Sequence, residues 1–177
     1  DISGLSDDGS LRKKICVDEQ NNTDNTTVND VLDLETQNAQ ACILHAEVFF
    51  KQGNLKKAIS SLDTSILLEP RNSFALACRG EVYRQQRQFD EALSDLNTSI
   101  RFDANSSFVW ARRGELYRQQ GKLDEALSDL NKSIKINPNN SFALACRGVL
   151  YRQQGKLDEA LSDLNKSIRL DANSSFV

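Results

Sequence analysis

The run LYRQQGKLDEALSDLNKSI fills residues 116–134 and recurs unchanged at 150–168, an offset of 34 residues. The same ruler reaches across most of the chain. Gly80, Gly114 and Gly148 are 34 apart, as are Tyr83, Tyr117 and Tyr151, and Ala92, Ala126 and Ala160. Gly53, Gly121 and Gly155 share a second phase, where Arg87 stands in for the missing glycine, and Pro70 and Pro138 share a third. A fixed period of this length marks stacked supersecondary units. Phasing gives four units, 39–72, 73–106, 107–140 and 141–174. Residues 175–177 open a truncated fifth, in which Ser175, Phe176 and Val177 copy Ser107, Phe108 and Val109. Units three and four differ at nine positions and agree at 25 of 34, and the sequence points to a chain that continues past Val177.

Each unit reads as two helices. In the third, the first helix runs over about 107–120 and stops at Gly121, where glycine can take the left-handed closing conformation. The second starts near Lys122, with Asp124 and Glu125 at the positive end of its dipole, and ends before Pro138. Asn139, Asn140 and Ser141 offer caps to the helix that follows. At 100° per residue, Trp110, Gly114 and Tyr117 share one face of the first helix, and Ala126, Leu127 and Leu130 share one side of the second. One unit cannot bury its apolar face alone, whereas four stacked units make a continuous core.

Trp110, Gly114, Tyr117, Ala126, Leu130 and Pro138 have the spacing of the tetratricopeptide signature, and residues 39–177 resemble that family. Two positions depart from it. Arg113 stands where leucine is usual, and Leu130 where phenylalanine is common. The resemblance implies an all-α, right-handed α-solenoid of helix-turn-helix repeats whose first helices line a concave groove. It also implies a protein–protein interaction scaffold or adaptor that binds a partner peptide or protein there. The side chains expected at the groove are Phe74, Phe108 and Phe142, with Ala77, Ala111 and Ala145, Glu81 and Glu115, Arg84, Arg118 and Arg152, and Gln85, Gln119 and Gln153. In the first unit their counterparts are Gln40, Ile43, Glu47, Phe50 and Lys51. Phenylalanines would supply apolar anchors, and arginines would pair with acidic or phosphorylated groups. Glutamines would pair with a peptide backbone. A competing expectation is that Glu81 with Arg84, and Glu115 with Arg118, three apart on one helix, satisfy each other.

Some members of the family grip acidic chaperone tails with a clamp of lysines and asparagines. Glu47, Glu81, Glu115 and Val149 at the asparagine position, and Ile43, Ala77, Ala111 and Ala145 at the first lysine position, speak against that ligand. Arg79, Arg113 and Arg147, with His45 as first-unit counterpart, form a second ladder. Each is expected to bond an aspartate or a helix-end carbonyl of a neighbour. Cys78 and Cys146, with Arg112 between them in the repeat register, read as small packing residues too far apart for a disulfide.

Composition narrows the function. The chain has 177 residues, a net charge of -3 and no run of about 18 apolar residues, so a membrane span is not expected. An acidic chain is a poor wrapper of phosphate backbones, so nucleic acid is disfavoured as a partner, as is an RNA-binding helical repeat. One histidine, four cysteines without a CxxC pair and no glycine-rich phosphate loop leave no expected metal, cofactor or catalytic set. The adjacent acids Asp90–Glu91, Asp124–Glu125 and Asp158–Glu159 repeat at helix starts and read as dipole partners rather than as an acid/base pair. The cysteines read as reduced thiols of a cytoplasmic protein. Eight Asn-x-Ser/Thr sequons, three of them repeat copies at Asn97, Asn131 and Asn165, read as sequence bias.

Charge marks one more boundary. Residues 1–38 carry nine acids and three bases, a net of -6, against +3 for residues 39–177. Residues 1–27 read as an acidic, polar, flexible tail. That tail is also a candidate internal competitor for the groove arginines. Residues 28–38, with Val28, Val31, Leu32 and Leu34, read as a capping helix segment for the first unit. The alternative function is a structural or self-association module of a longer protein, packing end to end through the truncated C-terminal face.

Overall fold

The structure, a computed structural model, describes residues 38–174. Eight helices follow one another: α1 (Ala39–Lys51), α2 (Leu55–Leu68), α3 (Ser73–Gln85), α4 (Phe89–Phe102), α5 (Ser107–Gln119), α6 (Leu123–Ile136), α7 (Ser141–Gln153) and α8 (Leu157–Ser174). Among the described residues there is no strand. Each odd helix packs antiparallel on the even helix after it, and each pair packs on the next. The acidic tail, the capping segment up to residue 37 and residues 175–177 lie outside the described residues.

The hairpin inside each unit closes by one device. In the third unit the Lys122 amide donates to the Tyr117 carbonyl at 2.9 Å, and the Gly121 amide to the Arg118 carbonyl at 3.1 Å. This Schellman arrangement needs a residue in the left-handed region, and Gly121 has φ 75°. Gly53 and Gly155 do the same at 73° and 76°. Arg87 is forced into that region, at φ 62°, by the same pair of amide bonds.

Between units, asparagine caps start the next helix. The Ala75 amide donates to the Asn72 side chain and the Ala143 amide to that of Asn140, both at 3.0 Å. Where the second unit has Ala104 in place of proline, the Trp110 indole N–H bonds the Ala104 carbonyl at 2.9 Å and holds the turn. The last helix has Ala172 at that position and runs on to Ser174.

Two ladders tie the helices. Ser65, Ser99, Ser133 and Ser167 are buried on the even helices. Each donates its hydroxyl to the first carbonyl of its partner helix, on Ala39, Ser73, Ser107 and Ser141, at 2.6–2.9 Å. The expected arginine ladder is the other. Arg113 donates from Nε and Nη2 to both oxygens of the buried Asp129, and from Nη1 to Asn97 of the preceding unit. Arg79 joins Asp95 to Asp63, and Arg147 joins Asp163 to Asn131, in the same way.

Close approach within a pair needs glycine. A Cβ on Gly114 would sit 2.8 Å from Leu130 Cγ and 3.2 Å from the Ala126 carbonyl oxygen. Gly114→Ala therefore loses about 1 kcal/mol net in urea unfolding, because overpacking of about 1–3 kcal/mol exceeds the helix-propensity gain. Arg87→Gly is expected to move the urea midpoint the other way. Relief of the left-handed strain outweighs the lost contact of Arg87 with the Phe89 ring, 5.7 Å away, for a gain of about 0.5–1 kcal/mol.

Candidate functional site

The odd helices form the inner row, and their first-turn phenylalanines run along it. Phe74 and Phe108 lie with ring centroids 5.5 Å apart at 44°. The Arg112 guanidinium then stacks between two rings, 5.0 Å from Phe108 and 4.1 Å from Phe142. Phe74 is exposed, and Phe108 and Phe142 are half-buried. Beside this row a cleft of about 330 Å³ opens between α1, α3 and α5. Ile43, Phe50, Leu62, Phe74 and Val82 give it apolar walls, with Glu81 and Arg112 on its polar side.

The repeated charges largely cancel. Arg84 grips both oxygens of Glu81 at 2.7 and 2.9 Å. Arg118 grips those of Glu115 at 2.8 Å, and Gln119 adds a bond at 2.9 Å. Both glutamates are buried, so these acids are occupied rather than presented. Burial works to raise the Glu115 pKa, but Arg118, Gln119 and the Cys146 thiol together hold the carboxyl below its ordinary value. In the first unit Glu47 and Lys51 pair in the open at 2.8 Å. Val149 replaces the glutamate in the fourth unit, and Arg152 is exposed there, as are Gln85 and Gln153.

Ala77 and Ala111 are buried between units rather than facing the groove, because neighbouring first helices meet there; Ala145 is half-buried. Cys78 and Cys146 carry free thiols, and burial pushes both up to about 12, so neither is a ready nucleophile at neutral pH.

Arg112 is the residue that the repeat pattern hides. Its best acidic contact is Glu81 at 3.5 Å, an acid already held by Arg84. Its Nε is buried and has no hydrogen-bond partner among the described residues. The signal in the sequence was the break it makes at a repeat position filled by Cys78 and Cys146. That arginine gives the groove a cation whose hydrogen-bonding capacity its neighbours leave unfilled.

Models of the tetratricopeptide repeat match residues 43–107, 107–140 and 130–162. This chain belongs to the tetratricopeptide repeat family. The family fold is typical of protein–protein interaction scaffolds, and its members are generally non-enzymatic. A search of curated proteins gives no match. Among solved structures the repeat array is similar to MamA, at 21% identity over 84% of this chain and 87% of that one, with a TM-score of 0.64. It is similar to a tetratricopeptide repeat protein from Parabacteroides merdae, at 28% identity over 76% of this chain and 54% of that one, with a TM-score of 0.59. The first tetratricopeptide domain of Spaghetti (RPAP3), whose structure holds the HSP90 peptide SRMEEVD, matches at 25% identity over 72% of this chain and 95% of that domain, with a TM-score of 0.59. No helix among the described residues is long and apolar enough to cross a membrane.

The lowered pKa of Glu115 fixes a sign. A carboxyl held below its ordinary value stabilises the array at neutral pH, and that stability is lost as pH falls through the carboxylate range. Thermal melting against pH is expected to show Glu115→Gln as less stable than the parent at neutral pH. The variant should also lose less on acidification.

Proposed function

We propose that the concave groove holds an extended segment of a protein partner. An apolar side chain enters the cleft beside Phe50, Phe74 and Phe108, and an acidic or phosphorylated group pairs with Arg112. The observation that carries this reading is the guanidinium itself. It is fixed between two phenyl rings at 5.0 and 4.1 Å, next to an apolar cleft of about 330 Å³, and its acidic contact, Glu81 at 3.5 Å, is already held by Arg84. That volume lies at the small end of ligand sites, which suits single anchoring side chains rather than a large ligand. Arg152, Gln85, Gln119 and Gln153 extend the same face and offer it further donors. Arg84 and Arg118 play a smaller part, because Glu81 and Glu115 occupy them. A domain of similar fold, that of Spaghetti, is bound to the HSP90 peptide SRMEEVD, which supports a peptide as the class of ligand. The free thiols of Cys78 and Cys146 agree with a scaffold or adaptor in the cytoplasm.

A second reading is self-association at the far end. Leu157, Leu161 and Ile168 of α8 are 59–66% exposed, whereas their counterparts Phe89, Leu93 and Ile100 are packed against a cluster that includes Val109 and Leu116 of the following unit.

An array of acidic and phosphorylated peptides, each carrying one large apolar residue, separates the two. The full chain is expected to bind a subset, and Arg112→Gln to weaken that subset roughly 10- to 100-fold, the worth of a hydrogen bond to a charged group. Phe74→Ala should weaken the same peptides, and Lys57→Gln, away from the cleft, should not. Equal binding by all variants sinks the groove assignment. No peptide binding, together with a dimer abolished by Leu161→Asp, replaces it with the second reading.

A further inference from the structure

The groove changes character along its length, and the change falls on one column of repeat positions. In the second and third units that column is Arg84 and Arg118, each gripped by the glutamate three residues before it. In the first unit it is Phe50, a wall of the apolar cleft. In the fourth it is Arg152, and Val149 stands where the glutamate would be. Arg152 is exposed, and its side chain has no ion pair or hydrogen bond among the described residues.

Charge along the row of odd helices follows from this. Glu47 cancels Lys51 on α1, and Glu81 cancels Arg84 on α3. On α5 the pairing of Glu115 with Arg118 leaves Arg112 in surplus, and on α7 Arg152 stands without an acid of its own. One end of the groove is therefore apolar, and the other carries Arg112 and Arg152.

Repeat geometry sets the distance between the two cations. The counterpart of Arg112 on α7 is Cys146, and α5 and α7 are in direct contact, which puts their axes about 8–10 Å apart. Arg152 lies six residues beyond Cys146, about 9 Å further along the axis. The two arginines thus stem from backbone positions roughly 12–14 Å apart, which about four residues of extended chain span. One cation accepts any acid within reach, whereas two held on packed helices select a separation.

We infer that the groove is a polarised site for two anions. Read outwards from the cleft, its partner segment carries an apolar anchor, an acidic or phosphorylated group for Arg112, and a second such group for Arg152 about four residues on. The inference rests on the groove as the binding site and adds the second anion, the order and the spacing.

Fluorescence anisotropy with labelled Gly-Ser peptides tests it on the full chain. Each peptide carries a leucine beside one phosphoserine, with a second phosphoserine one to seven residues further on, in both chain directions. In one direction affinity is expected to peak at a spacing of about four, roughly 10-fold above the peptide with a single phosphoserine. Arg152→Gln should remove the peak and leave the affinity for the single phosphoserine. Val149→Glu should do the same with the arginine still present, because it supplies the acid that holds Arg84 and Arg118 in their units. A glutamate series that peaks at the same spacing with equal affinity supports the site with carboxylates as its anions, and a weaker peak supports it with phosphates. Affinity that ignores the spacing, or a peak that survives both variants, overturns the second anion position while loss of binding in Arg112→Gln upholds the groove. Failure of every peptide to bind overturns both.

Discussion

One guanidinium at each of the three junctions between units, on Arg79, Arg113 and Arg147, holds the array together. Arg113 spends two of its donors on a single buried carboxylate and the third on the amide of the unit before it. The planar fork fixes angle as well as distance, which a lysine in its place could not do. Asp95, Asp129 and Asp163 are buried, so removing an arginine would strand a charge, a change that costs about 3–5 kcal/mol in such pairs. The three-point contact fixes the rotation of each helical pair against the last. The groove is the sum of those rotations. The phenyl-to-phenyl spacing and the cleft between three consecutive odd helices both follow from it.

Within this frame, self-similarity works against binding. A side chain that repeats in every unit meets its own complement in every unit, as Arg84 meets Glu81 and Arg118 meets Glu115. The groove has unsatisfied chemistry where the pattern breaks. Arg112 replaces a cysteine, and its neighbours have only an occupied glutamate to offer it. Val149 replaces a glutamate, and Arg152 is left at the surface. Specificity in this chain is therefore expected to reside in its irregular positions.

The architecture was legible because each strong signal has one physical meaning. Glycine every 34 residues at a turn meant a left-handed closure, and the structure has it even where arginine fills the site. The outer ladder was legible as chemistry but not as geometry. Arg79, Arg113 and Arg147 stood out, while their aspartates were hidden among acids that the more conspicuous Asp-Glu pairs outshone. A helical wheel also misplaced Ala77 and Ala111. It treats a helix as having one inside and one outside, and a first helix in a stack touches neighbours on both flanks as well as its partner. For the same reason the wheel counted Glu81 and Glu115 as presented, although packing on both sides buries them. Arg112 was passed over because its counterparts Cys78 and Cys146 are small packing residues, and only its surroundings reveal the difference.

The serine latch and the amide rung of the arginine ladder sit two residues apart on each even helix. Where the rung is asparagine, the two together spell an N-glycosylation acceptor, at Asn97-Thr98-Ser99 and again at Asn131-Lys132-Ser133. These motifs are thus written by two unrelated structural demands. In the folded array the serine hydroxyl is sealed against a helix carbonyl and the asparagine carbonyl is held by a guanidinium. An oligosaccharide could be attached there only to chains that had not yet folded. Export of this protein through a glycosylating compartment would set that modification in direct competition with the closing of its repeats.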